Sequence, residues 1–176
     1  SRVRPHDLAM CVTPSGSLVL AVPNFGCVVA SADGSSVAPL VVLDQRAQLR
    51  SPRGVAILPP TSSRGSPTLL VSDAACGAIF AISHGGSRAV LWASSPSRRL
   101  CPSGPAYCPP IPLLSPSGVA VAAPDAAAAS RRATVYVADA GAHALRAFQT
   151  GPAALPATSF VAAGSGAHGG ADGPAL

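Results

Sequence analysis

Pro116-Ser-Gly-Val-Ala-Val-Ala122, followed after an insert by Val135-Tyr-Val-Ala-Asp-Ala-Gly-Ala-His-Ala-Leu-Arg-Ala-Phe148, decides how this chain folds. The same phrase stands earlier as Pro52-Arg-Gly-Val-Ala-Ile-Leu58 and Leu69-Leu-Val-Ser-Asp-Ala-Ala-Cys-Gly-Ala-Ile-Phe-Ala-Ile82. A unit repeated in this way cannot bury its apolar face alone and needs neighbours of its own kind. A more degraded copy opens the chain: Asp7-Leu-Ala-Met-Cys-Val12, the turn Thr13-Pro-Ser-Gly16, then Leu18-Val-Leu-Ala-Val-Pro-Asn-Phe-Gly-Cys-Val-Val29.

Aligning Asp7, Gly54 and Gly118 gives spacings of about 47 and 64 residues. Repeats of roughly 40–50 residues made of short strands have the size of propeller blades. Each copy reads as four strands rich in Val, Ala, Ile or Phe and bounded by Gly, Pro, Ser or Asp. The first copy predicts strands at 7–12, 17–22, 26–31 and 37–43. The second predicts 54–58, 68–73, 78–83 and 88–93, and the third 118–123, 134–139, 144–149 and 158–163. The expected fold is therefore all-β, an incomplete propeller of about three blades. The blades span about 5–43, 52–93 and 116–163, with an inter-blade linker at 164–176. With 19 Pro and 17 Gly, long helices are not expected. Ala126–Ala129 is at most one turn of helix.

Charged residues are only 11% of the chain, every base is Arg, and every acid is Asp. In an Ala- and Pro-rich chain this is the bias of a GC-rich genome rather than selection for phosphate binding. The net charge of +5 is spread over Arg2/Arg4, Arg98/Arg99, Arg131/Arg132 and single positions. Nucleic-acid surfaces cluster basic residues and interleave them with aromatics. Aromatics here are 4%, so nucleic acid is permitted as a partner but not favoured. No run of 18 apolar residues exists, so no helical membrane span is expected. The start, Ser1-Arg-Val-Arg-Pro5, is not a signal peptide and carries no initiator Met, which suits a mature form or a piece of a longer protein.

The five Cys fall at 11, 27, 76, 101 and 108, and none forms a Cys-x-x-Cys pair. Cys11 and Cys27 fall on the first and third strands of one blade, about 9.6 Å apart and too far for a disulfide. Cys101 and Cys108 bracket a loop and are the candidate disulfide. That loop leans toward a secreted or luminal setting, while the odd Cys count leaves the compartment open.

The repeat resembles the NHL-repeat β-propellers. Pro116, Gly118, Val119, Ala120 and Val121 match that family's opening phrase. Val137, Ala138, Asp139, Gly141, His143, Leu145 and Arg146 match its second half. The tail Ala162-Ala-Gly-Ser-Gly-Ala-His-Gly-Gly-Ala-Asp-Gly-Pro-Ala-Leu176 is similar to the family's inter-blade linker. The turn position where the family often has Asn is Ala142, Cys76 and Phe25 in the three copies, and the strand-ending Asp of the first copy is replaced by Val22. The resemblance implies a six-bladed disc, of which these residues supply about half. The partner would then be the remaining half of the propeller or another protein.

Asp73, Asp139 and Gly141 are expected to pin the turns after the second strands, because a short carboxylate there accepts backbone N–H bonds. No catalytic, cofactor-binding or metal set is expected. Loops on a regular scaffold carry binding function, so Arg98, Arg99, Arg131, Arg132 and His143 are the candidate interaction residues. The leading function is a non-catalytic scaffold for protein–protein interaction. RNA binding by a propeller face is one alternative. A six-bladed hydrolase would need carboxylates and amides, yet there is no Glu and Asn24 is the only Asn. A metal-using lyase would need His from several blades. His143 and His84 fall at opposite ends of their blades, and nothing in the Gly-rich tail fixes His168.

Overall fold

The structure, a computed structural model, describes residues 9–22, 26–40, 49–60, 65–83, 89–94, 113–122, 132–151 and 156–168. Within them lie twelve strands, which form three four-stranded antiparallel sheets. The first sheet holds β1 (Ala9–Val12), β2 (Leu18–Val22), β3 (Gly26–Ala30) and β4 (Val37–Pro39). The middle sheet holds β5 (Pro52–Leu58), β6 (Thr68–Asp73), β7 (Ala78–Ser83) and β8 (Ala89–Ser94). The third holds β9 (Pro116–Ala122), β10 (Thr134–Asp139), β11 (Ala144–Thr150) and β12 (Pro156–Ala163).

Each sheet is a meander in chain order, so every neighbouring pair is joined by a hairpin. The hairpin turns follow from local chemistry. Thr13-Pro-Ser-Gly16 closes with the Gly16 N–H donating to the Thr13 carbonyl at 2.9 Å. Gly16 takes φ +84°, a region that glycine enters without strain.

The sheets stack in chain order, with β5 of the middle sheet packed against β1 and β2 on one side and β9 on the other. The period-2 alternation of the strands shows what this does. In β6, Leu69 and Val71 enter the core shared with the first sheet, while Leu70 enters the core shared with the third. In β7, Phe80 and Ile82 face the first sheet and Ile79 faces the third. The middle strands β6 and β7 are buried at nearly every position because both of their faces are covered. Across the second interface Trp92 meets Phe148 edge to face, with ring centroids 5.7 Å apart. Each such buried side chain contributes about 1.5–3 kcal/mol of burial free energy.

The outer sheets alternate instead. In β2, Val19 and Ala21 are buried, and Leu18, Leu20 and Val22 lie on the far face at intermediate exposure. Register puts Met10 opposite Leu20, and Val12 opposite Leu18, on that same far face. Met10, Val12 and Val37 are 60–68% exposed there. On the third sheet Leu145 and Phe160 are exposed.

The strands expected at 68–73, 78–83 and 134–139 are found with those ends. The others differ at one end or both, most by one or two residues. β5 and β9 begin two residues earlier than expected, at Pro52 and Pro116, because the proline residue itself pairs with the Asp at the end of the next strand. β4 is described only as Val37–Pro39. The expected start at Asp7 lies outside the described residues, as do residues 41–43 of the expected fourth strand. Among the described residues no sheet closes on itself, and no helix is long and apolar enough to cross a membrane.

Candidate functional site

The second strand of the middle sheet ends at Asp73 and that of the third ends at Asp139, both fully buried. Asp139 accepts hydrogen bonds from the backbone N–H of Leu114 at 3.2 Å and of Ser115 at 2.8 Å. Asp73 accepts them from the N–H of Arg50 and, at 2.9 Å, of Ser51. A return bond completes each lock at 3.0 Å: Ala140 N–H donates to the Ser115 carbonyl, and Ala74 N–H donates to the Ser51 carbonyl. In both sheets, therefore, the carboxylate ties the segment entering the sheet to the turn between its second and third strands. Gly141 lies over that segment, where an added Cβ would stand 2.9 Å from the Leu114 Cβ.

The two locks differ in their remaining partner. Asp73 takes the Cys76 N–H at 2.9 Å. Asp139 takes the Arg146 Nε–H at 3.0 Å in a buried ion pair. Cross-strand register explains the difference: Arg146 stands opposite Val137, whereas the matching position opposite Val71 is Phe80. These carboxylate oxygens are occupied by backbone and guanidinium donors, an arrangement that holds shape rather than moving protons. The Arg146 pairing was missed at the sequence level; its signal was an Arg in an otherwise apolar strand, seven residues after an Asp.

Of the candidate interaction residues, Arg132 and His143 are described, and both are exposed. They sit at opposite ends of the β10–β11 hairpin, roughly 20 Å apart along a strand of this length. Arg98, Arg99, Arg131, Cys101 and Cys108 lie outside the described residues. His143 closes the 3₁₀ turn Ala140–Ala142 in a left-handed conformation, φ 46° and ψ 44°. The tail brings the ring of His168 to it, with centroids 5.1 Å apart and planes at 85°. Nothing in the Gly-rich tail pointed to this meeting with His168 beforehand.

A cavity of about 260 Å³ opens between the first and middle sheets, lined by Val19, Val29, Leu40, Ile57, Leu69 and Ile82. Thr13, Ser15, Ser17, Thr68 and Ser83 complete its wall, and among the described residues no ionisable side chain lines it. It can hold an apolar group and has no means of acid–base chemistry. The buried thiols of Cys27 and Cys76 are likewise unsuited to nucleophilic work. Burial pushes Cys27 up to about 12, with Cys11 and Asp73 adding to the effect. Burial and then Asp73 push Cys76 up to about 11. Among the described residues no three His, Cys, Asp or Glu side chains converge as a metal site.

Compared with models of protein families, the chain matches none. Compared with curated proteins, it also matches none.

Proposed function

We propose that this chain is a run of NHL-type propeller blades that works as a non-catalytic scaffold, binding protein through its uncovered sheet faces. One observation carries the reading. Gly54 in β5 has Ser117 O and Val119 N of the next sheet pressed against the place a Cβ would occupy. Gly118 holds the same place in β9, and its nearest described neighbour is the Ala138 Cβ at 3.7 Å. A glycine in a strand interior weakens the strand by roughly 0.5–1 kcal/mol relative to Ala. Its presence at Gly118 is accounted for if a further first strand of the same kind lies over it.

The chemistry of the uncovered faces supports a protein partner. Strands β1–β4 and β12 contain no charged residue, and the first sheet's far face exposes Met10, Val12 and Val37. Such a face suits another apolar sheet and offers nothing to a phosphate backbone.

The test is sedimentation of the chain over a range of concentrations, wild type against Gly118→Val. Wild type associates, and Gly118→Val abolishes association while the circular-dichroism melt is retained. A wild type that stays monomeric at every concentration, or a variant that associates equally well, overturns the reading.

A further inference from the structure

We propose that His143 and His168 form a two-imidazole site for a divalent transition ion of the zinc class. The proposal is independent of the scaffold reading and rests on three observations. First, His143 is the only non-glycine residue with positive φ among the described residues. That conformation, which closes the 3₁₀ turn, fixes the place where the His143 side chain leaves the backbone. Second, the tail is fitted to it. Gly164, at φ +95°, packs so closely that an added Cβ would overlap the His143 carbonyl oxygen and stand 2.8 Å from the Ala144 Cα. With Gly166 at φ +79°, this reversal carries His168 back over the turn. Third, the ring centroids stand 5.1 Å apart. An imidazole bound to zinc at about 2.1 Å has its centroid roughly 3.2 Å from the ion, so two on one tetrahedral ion stand about 5.2 Å apart.

Both histidines are exposed. Neutral imidazoles suit zinc, cobalt and nickel. No third His, Cys, Asp or Glu converges among the described residues, so the remaining positions stay open to water or to a donor from a bound protein. The site would hold an ion at the end of the sheet where the Asp139 lock also lies.

The experiment is titration of the chain with cobalt(II), followed by visible absorption, and with zinc by calorimetry. Four variants accompany it. His143→Asn keeps a residue that tolerates the left-handed backbone, and His168→Ala removes the second ring. His6→Ala and His84→Ala serve as controls. The expected result is one ion per chain, without a thiolate charge-transfer band. Binding is lost in His143→Asn and in His168→Ala and retained in both controls, with the thermal melt of the apo chain unchanged in all four. Three outcomes overturn the proposal: no saturable binding to wild type at millimolar metal, binding that survives loss of either ring, or a thiolate band showing cysteine ligation. His143→Asn alone could disturb the turn, so a cross-peak shift of the His168 imidazole on zinc addition to wild type provides the second readout, and its absence also overturns the proposal.

Discussion

In the middle sheet Gly54 has the backbone of the next sheet pressed against it, whereas a Cβ at Gly118 in the third sheet would meet only the Ala138 Cβ of its own sheet, at 3.7 Å, among the described residues. The same pair of sheets repeats the contrast in their apolar residues. Leu69, Leu70 and Val71 are all buried in β6, while in its counterpart β10 Val135 and Val137 are buried, Tyr136 is half-buried and Ala138 is exposed. The two sheets share a sequence phrase, so the difference comes from neighbours. Much of what the repeat specifies is the interface between sheets, and a given residue has its full effect only where that interface is made.

The largest effect expected from this comparison is at the locks. Asp139→Ala removes the carboxylate from the buried Arg146 guanidinium and should destabilise by about 3–5 kcal/mol in urea unfolding. Adding Arg146→Met should recover part of that loss, because the buried charge is then gone. Asp73→Ala has no such rescue at Phe80, so equal rescue there would break the comparison. Next are the apolar faces. Leu70→Ala, in a side chain buried between two sheets, should lose about 2–5 kcal/mol. Leu20→Ala, on the uncovered face, should lose less than about 1 kcal/mol. Equal losses would mean that something covers the first sheet's far face.

The glycines come third. Gly54→Ala should destabilise by about 1–3 kcal/mol through overlap with Ser117 and Val119. Gly118→Ala should be neutral, or stabilise by roughly 0.5–1 kcal/mol, in the same melt.

At neutral pH the smallest effect lies at Cys27, in the interface of the first and middle sheets. Its thiol titrates near 12 in the folded chain and near 9 when exposed. Between those values the unfolded chain has lost the proton and the folded chain keeps it. Stability should be full below about pH 9 and fall above it by about 1.4 kcal/mol per pH unit from this group. Cys27→Val should flatten that slope relative to wild type, and an unchanged slope would place the thiol in water.

Strand order and strand type were legible because Asp, Gly and Pro punctuate each copy. Where a strand ends in Asp followed by a glycine-containing turn, as at Asp73 and Asp139, even its last residue could be read. The starts of β5 and β9 were not legible, because proline suggests a boundary and here pairs as the first strand residue. The two locks could be anticipated in kind, since a turn aspartate accepts nearby N–H groups. Their partners at Ser51 and Ser115 are more than twenty residues away in sequence, a pairing only the stacked fold creates. The meeting of His143 with His168 is of the same sort. It depends on the path of a glycine-rich segment, and composition does not set a path.

The burial of β6 and β7 on both faces has a consequence for how the chain opens. A hydrogen-bonded amide of β6 or β7 can exchange its proton with solvent only after a neighbouring sheet has undocked, because both faces of these strands are covered. The end sheets each have one covered face and can open against a single neighbour. Exchange should therefore run inward from both ends, leaving the amides of Leu70 and Phe80 among the last to take up deuterium.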